Sequence, residues 1–428
     1  MNNSPKLLDK YILRSKDTPL IEFSLFETKE EALGTFDFSY SLQINKIHVE
    51  NKQLFPKNLP DDPTEEQLLK WINKRKAPKN RQFVEKILAA IDDSPNPLKY
   101  VNVSHALSLN DAYWISSEGS SISWKDCNLY EHPFDEVLSY VAFTGYSQKI
   151  SGLISSPELT SSGALKKCWS NRPDGIYLIK GDEFMPRPDG RSQATIEYYA
   201  AQVAAALGFE HVNYDLEEFH HRSGKKEIVC TCKLFTSENE GFVEAATYFK
   251  QAGIDVNNAD LSSLSVQQKM LSTMGPHYAD MMVFDSLIAN ADRHLGNFGM
   301  MVDNNTGKYL RTAPLFDNGY SLFYGAASQE LTSEHYNDYV KTLSCKYFPI
   351  DKQARLFAEK RQLPKLRQLL KFEFQKHPKY NIDDDVLKIM SNFIQERARK
   401  TISLFHEKVQ EQTIKQLNQK HKDTSYSR

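Results

Sequence analysis

Two carboxylates and a carboxamide stand where they could serve one reaction. In Ile288-Ala-Asn-Ala-Asp-Arg-His-Leu-Gly-Asn-Phe-Gly299, Asp292 and Asn297 are five residues apart, and Asp317 follows in Pro314-Leu-Phe-Asp-Asn-Gly319. Met281 to Ala289 reads as an apolar helix and Gly296 interrupts it, so Asp292 and Asn297 belong on a loop where both can converge on one point. Met300–Val302 and Lys308–Leu310 flank the turn cluster Asp303-Asn-Asn-Thr-Gly307, which predicts a β-hairpin that returns Asp317 towards Asn297. The chemistry these groups could perform is phosphoryl transfer. One carboxylate orients an attacking hydroxyl, while an amide oxygen and a second carboxylate hold Mg2+ against phosphates, since hard cations take oxygen ligands.

The Asp-x4-Asn spacing is that of a kinase catalytic loop, and Phe316-Asp-Asn-Gly319 reads as a variant of the metal-binding turn that comes after it. Either half alone is explained as well by a helix cap and a hairpin with Asx-turns; the ordered pair favours phosphoryl transfer. Asn290-Ala-Asp-Arg-His-Leu-Gly-Asn-Phe298 with Pro314-Leu-Phe-Asp317 resembles the motifs of HipA-like kinases, bacterial serine/threonine kinases often found as toxins of toxin–antitoxin pairs. The Asp-Arg-His-x-x-Asn core also occurs in phosphoinositide kinases, which leaves the substrate class open. The resemblance implies ATP and Mg2+ as cofactors, a protein Ser/Thr acceptor, an antitoxin-like protein partner and autophosphorylation of a loop hydroxyl. It assigns Asp292 to the acceptor hydroxyl and Asn297 and Asp317 to the metal. His294 joins the catalytic set as a brace of the loop, bonded to backbone, because lone loop histidines usually act structurally.

Other elements must bring a nucleotide to these groups. Ser155 to Lys167 is a small, hydroxyl-rich loop that includes Thr160, Ser161, Ser162 and Gly163, and Ile176-Tyr-Leu-Ile-Lys180 reads as a buried strand ending in a lysine. Amides in such a loop can approach phosphate oxygens, and Lys180 can reach phosphate as a point charge; an ordinary surface loop has the same composition. Thr195 to Gly208 is an alanine-rich helix with Glu197 placed in its first turn. Glu197 there either complements the helix dipole or pairs with Lys180, as in kinases. Val212 to Phe219 and Ile228 to Phe235 are two further strands, and Lys233-Leu234-Phe235 suits an adenine through backbone groups.

At 428 residues, with 53 Lys and Arg against 55 Asp and Glu, the chain can hold two or three cored domains and carries no global field that argues for nucleic acid or membrane. The basic runs Lys70 to Arg81 and Lys415 to Lys422 read as solvated faces. Five scattered cysteines are expected to be reduced thiols. With a start lacking a basic-then-apolar leader and no apolar run near a membrane span, the expected location is cytoplasmic, or a host cytosol reached by a non-cleaved signal.

The N-terminal residues alternate at Leu20–Phe26 and Ile44–Val49 as strands do, Thr64 and Gln67 form a capping box, and Phe83, Val84, Ile87, Leu88 and Ile91 make a helical stripe. The aromatic-rich segment 98–150 reads as a packed subdomain that departs from the β-rich N-terminal subdomain associated with HipA. Leu363–Phe374 and Asp383–Leu417 are candidate helices. The expected architecture is therefore α+β: a two-lobed protein-kinase-like fold with a small mixed β lobe over 151–240, a helical catalytic lobe over 241–410, an additional N-terminal α/β region over 1–150, and a polar tail over 411–428. The expected function is a Ser/Thr protein kinase. Its rivals are a phosphoinositide-like lipid or small-molecule kinase, and a nucleotide-binding pseudokinase scaffold.

Overall fold

The structure, a computed structural model, describes residues 4–32, 35–91, 98–146, 148, 156–161, 163–182 and 186–425. Two compact units share the chain by turns. The first comprises Met1–Glu183, Glu218–Val243 and Gly299–Arg311; the second comprises Phe184–Glu217, Glu244–Phe298 and Thr312–Arg428.

Among the described residues, an N-terminal antiparallel sheet is built from β1 (Lys6–Ser15), β2 (Thr18–Ala32), β3 (Thr35–Ile47) and β4 (Tyr113–Ser117), in the order β3-β2-β1-β4. Alternation places Ile21, Phe23 and Leu25 in the core with Tyr11 and Leu13 of β1, as a sheet covered on one face requires. The expected strand Ile44–Val49 stops at Ile47, because a 3-10 turn takes over at Val49. The capping box is present, with Thr64 N donating to Gln67 Oε1 at 2.9 Å and Gln67 N to Thr64 Oγ1 at 3.3 Å. The helix it opens, Glu65–Lys74, buries Leu68, Trp71 and Ile72.

A second sheet holds β5 (Lys167–Arg172), β6 (Gly175–Lys180), β7 (Tyr214–His220) and β8 (Lys226–Lys233) in the order β5-β6-β8-β7. A third holds β9 (Glu240–Glu244), β10 (Gly299–Asp303) and β11 (Tyr309–Thr312) in the order β11-β10-β9. The expected hairpin is the β10–β11 pair. Asp303 N donates to Lys308 O at 2.9 Å and Gly307 N to Asp303 O at 2.7 Å, while Asp303 Oδ1 accepts from Asn305 N at 2.7 Å.

The second unit is helical. Gln193–Ala206, Pro276–Ile288 and the 42-residue Asp384–Ser425 contribute Ile196, Tyr199, Val203, Met282, Phe284, Leu287, Met390, Phe393 and Ile394 to its core. The helix expected over Leu363–Phe374 is shorter: it ends at Gln368, a 3-10 turn covers Leu369–Lys371, and Phe372 is extended. The alternation of half-buried Phe372 with buried Phe374 has the two-residue period of extended chain. The α+β class expected from the sequence is the class observed. Among the described residues no helix is long and apolar enough to cross a membrane, and all five cysteines are buried thiols.

The entry to helix Gln193–Ala206 is held from far along the chain. Asp189 O accepts from Asp383 N at 2.9 Å, Tyr199 Oη donates to Asn381 Oδ1 at 2.8 Å, and the buried Arg191 is chelated by Asp189. Gly190 turns there with φ +81°, and a Cβ on it would lie 2.7 Å from Asn381 O. Both the left-handed backbone and the backbone clash oppose a side chain, so Gly190→Ala is expected to destabilise by at least about 1–2 kcal/mol. Urea unfolding followed by circular dichroism measures it; an unchanged midpoint would contradict this account of the turn.

Candidate active site

The Asp-Arg-His loop begins where helix Pro276–Ile288 ends. Ala289 takes a left-handed conformation, φ 52° and ψ 50°, and its N–H closes back on Asp285 O. Asn290 then braces the turn twice: its Nδ2 donates to Asp285 Oδ1 at 3.1 Å, and its Oδ1 accepts from Asp292 N at 3.0 Å.

Arg293, only 1 % exposed, joins three segments through all five of its N–H groups. Nε and Nη2 meet the fully buried Asp285 carboxylate at 3.0 Å each, Nη1 donates to Asn297 O at 3.0 Å and to Phe316 O at 2.6 Å, and Nη2 also reaches Asn318 Oδ1. One guanidinium therefore ties the helix, the loop carrying Asp292 and Asn297, and the turn carrying Asp317. Burial pushes the Asp285 carboxyl above its ordinary range, opposed by the charge of Arg293. The hairpin's expected service, returning Asp317 towards Asn297, is visible in these two carbonyls converging on one nitrogen.

Within this frame each residue has a defined posture. Asp292 is half-exposed, with Oδ1 3.4 Å from Lys346 Nζ. Its carbonyl accepts from Asn297 Nδ2 at 3.1 Å and from His294 N at 2.7 Å. Because the Asn297 amino group is committed to that carbonyl, its Oδ1 is the end of the amide left to act as an oxygen ligand. His294 is exposed, and its Nδ1 accepts from Gly296 N at 3.1 Å, the backbone brace expected of it. Asp317 sits at φ 58°, a left-handed conformation that Asp tolerates better than most residues, and its N–H donates to Tyr214 Oη at 3.2 Å.

Glu197 departs from the expected position. Its helix starts at Gln193 under a Ser192 and Thr195 cap, so Glu197 lies beyond the first turn, 1 % exposed, and the reading as a complement to the helix dipole is set aside. Its Oε2 accepts from Asn318 N at 2.7 Å, which fastens the Asp317 turn to the helix. Gly319 permits that approach, since a Cβ there would stand 3.2 Å from Gln193 O and 3.4 Å from Glu197 Cγ.

Thr160, Ser161, Gly163, Lys180 and Lys233–Phe235 belong to the first unit. Lys180 ends β6, buried, opposite Lys167 of β5 and Cys230 of β8. Thr160 Oγ1 donates to Leu107 O at 2.7 Å; Ser161 Oγ donates to Pro157 O at 2.7 Å and accepts from Trp169 Nε1 at 2.7 Å. Ser162 lies outside the described residues, and Gly163 sits at φ +88°. In the segment Lys233–Phe235, Leu234 N donates to Ile176 O at 2.8 Å, Lys233 Nζ reaches the Asp174 carbonyl, and Phe235 packs edge-on against Phe242.

The residues that hold these loops differ in how far the sequence shows them. Asp285 had a signal: an acidic residue within a helix apolar on every side must find a partner. Arg81 and Glu158, a fully buried pair at 2.6 Å, clamp the hydroxyl-rich loop, with Glu158 Oε1 accepting from Trp169 N at 2.7 Å. A lone Arg in a basic run and a lone Glu in a loop gave no sign of each other 77 residues apart.

With the geometry in place, comparison with known proteins gives it a lineage. The family described as the HipA-like C-terminal domain matches residues 144–364. The chain belongs to this family. The HipA-like domain so delimited contains Lys180, Glu197, Asp292, Asn297 and Asp317. The serine/threonine-protein kinase CtkA of Helicobacter pylori is 27% identical over 165 residues, 35% of this chain and 47% of CtkA, so the chain spans about half the length of that curated relative. A crystal structure of CtkA is 17% identical, covering 58% of this chain and 93% of that one, with a TM-score of 0.42. A chain of the Shewanella oneidensis MR-1 toxin–antitoxin complex of HipA, HipB and operator DNA is 12% identical with a TM-score of 0.52, over 93% of this chain and 98% of that one. The fold likeness to HipA thus runs well beyond the HipA-like domain.

Removing Arg293 would leave Asp285 buried and unpaired. Arg293→Met is expected to destabilise by about 3–5 kcal/mol, and adding Asp285→Leu should recover much of the loss. Chemical denaturation of the three variants checks this; additive losses would show that the two side chains do not act as a pair.

Proposed function

We propose that this chain is an ATP- and Mg2+-dependent protein serine/threonine kinase. The observation that carries the reading is the Arg293 junction, which holds the Asp292–Asn297 loop and the Asp317 turn together by backbone and side chain. Kinase chemistry requires those two loops to act as one. The similarity to a relative named a serine/threonine-protein kinase supports a protein hydroxyl as acceptor.

In this reading Asp292 accepts the acceptor's proton and aims its oxygen, an assignment its partly exposed carboxylate permits. Asn297 Oδ1 and the Asp317 carboxylate would hold Mg2+, a donor set that suits a cation preferring few protein oxygens plus phosphates. The metal would supply neutralisation of phosphate charge. Lys180 would bind phosphate, and Glu197, while fastening Asn318, would orient Lys180. One of Thr160, Ser161 and Ser162 would be the autophosphorylated hydroxyl; Thr160 and Ser161 would first have to leave their hydrogen bonds to Leu107 and Pro157. A HipB-like antitoxin is the partner in keeping with the HipA, HipB and operator DNA complex.

Asp292→Ala is expected to abolish transfer from labelled ATP while leaving nucleotide affinity largely intact. Asp317→Ala should abolish transfer through loss of metal-dependent nucleotide binding. Calorimetric titration of ATP with and without Mg2+ separates the two, and near-normal transfer by Asp292→Ala would remove this carboxylate from the mechanism. Labelled lipid without labelled protein in a lysate would favour the lipid-kinase alternative.

If Lys180 and Glu197 work as a pair, Lys180→Met and Glu197→Gln should each weaken catalysis and the double variant should cost much less than the sum. Additive losses would confine Glu197 to its contact with Asn318.

A further inference from the structure

Resting on that kinase reading, we propose that Lys346 is a catalytic residue, the cation that meets the phosphoryl group as it transfers. Charge develops on the equatorial oxygens of that group, and a cation fixed beside the base is the group best placed to stabilise it. Arg293 follows Asp292 in the sequence but cannot serve, because its guanidinium is buried and every N–H is already bonded within the junction. Lys346 has the opposite properties. Its Nζ lies 3.4 Å from Asp292 Oδ1, and the two side chains are 42% and 48% exposed. An ammonium has three donors, so it can keep Asp292 and take a phosphoryl oxygen.

The lysine is delivered by a built turn. Ser344 and Pro349 form an antiparallel bridge, and Cys345 N donates to Phe348 O at 2.9 Å. Cys345 and Phe348 are buried, and Cys345 Sγ donates to Asp285 O at 3.4 Å. The turn that lifts Lys346 is thereby anchored on the same residue that anchors Arg293. A single foundation sets the height of both Asp292 and Lys346, as a site needing sub-ångström placement requires.

In the step itself the acceptor's O–H bond breaks and its proton passes to Asp292. The acceptor oxygen bonds to the terminal phosphorus of a nucleoside triphosphate as the bridging P–O bond breaks, and that electron pair leaves with the diphosphate. Lys346 keeps its proton throughout and acts only by charge and hydrogen bonding.

The test compares wild type, Lys346→Met, Lys346→Arg and Asp292→Ala for transfer from ATP to themselves and to dephosphorylated casein, with thermal unfolding as the check on folding. A second readout needs no turnover: binding of Mg-ADP with and without aluminium fluoride, which mimics the flat phosphoryl group. Lys346→Met is expected to lower kcat on the order of 10²-fold with KM for ATP little changed, to weaken the fluoroaluminate complex by a similar factor without weakening Mg-ADP, and to be partly rescued by Lys346→Arg. An active wild type and an inactive Asp292→Ala, beside a Lys346→Met that keeps its kcat or traps the fluoroaluminate complex normally, would overturn this inference and leave the kinase reading standing. A wild type that neither transfers phosphate nor traps the complex would sink the kinase reading, and this inference with it.

Discussion

The buried Arg293 has every N–H met, and through those bonds it ties a helix, a loop and a turn of the second unit together. Arg293 has five donors and no access to water, so five acceptors must come to it. They come from a helix, a loop and a turn: the Asp285 carboxylate, the carbonyls of Asn297 and Phe316, and the Asn318 side chain, so that Phe316 and Asn318 hold Asp317 between them. Such a pair contributes little net stability compared with a well-packed apolar replacement. What it contributes here is a defined geometry, since one guanidinium is bonded to all three segments at once.

Glu197 extends the same logic by one step. Its carboxylate takes the N–H of Asn318 while the Asn318 side chain accepts from Arg293, so the turn bearing Asp317 is gripped from two sides. Asp292 and Asp317 are held chiefly through their neighbours: Asp292 through Asn290 and Asn297, Asp317 through Asn318. The carboxylates of Asp292 and Asp317 are left partly exposed while Arg293 and Asn318 beside them are buried, a division that leaves the shape of the loops to the buried neighbours.

Much of this was legible in the residues. The hairpin was written in its turn cluster, the capping box in Thr64 and Gln67, and the motif residues in their spacing. These are local signals, read within a few positions. Strand β1 escaped notice because Lys6 to Lys10 lack clean alternation and the strand is defined by partners on both sides. Glu197 lies deeper than its sequence predicts because its helix begins two residues earlier, at Gln193, which turns a carboxylate at a helix end into a buried grip. Arg81 with Glu158, and Lys346 with Asp292, are partnerships across 77 and 54 residues. Long-range pairs of this kind leave no periodicity or composition behind, so no local pattern could have shown them.

The latch between the Gly190 turn and Asn381–Asp383 bears on how such a chain emerges during synthesis. The helix that carries Glu197 is made early, yet its entry is closed by backbone supplied some 190 residues later, and Arg397 must arrive before its Nε can cap Ser286 O at 3.3 Å. Contacts so distant in sequence form late and slowly. A ribosome will therefore have made most of the polypeptide before the entry to that helix can close, and a product truncated before Asn381 would carry Asp292, Asn297 and Asp317 without that closure.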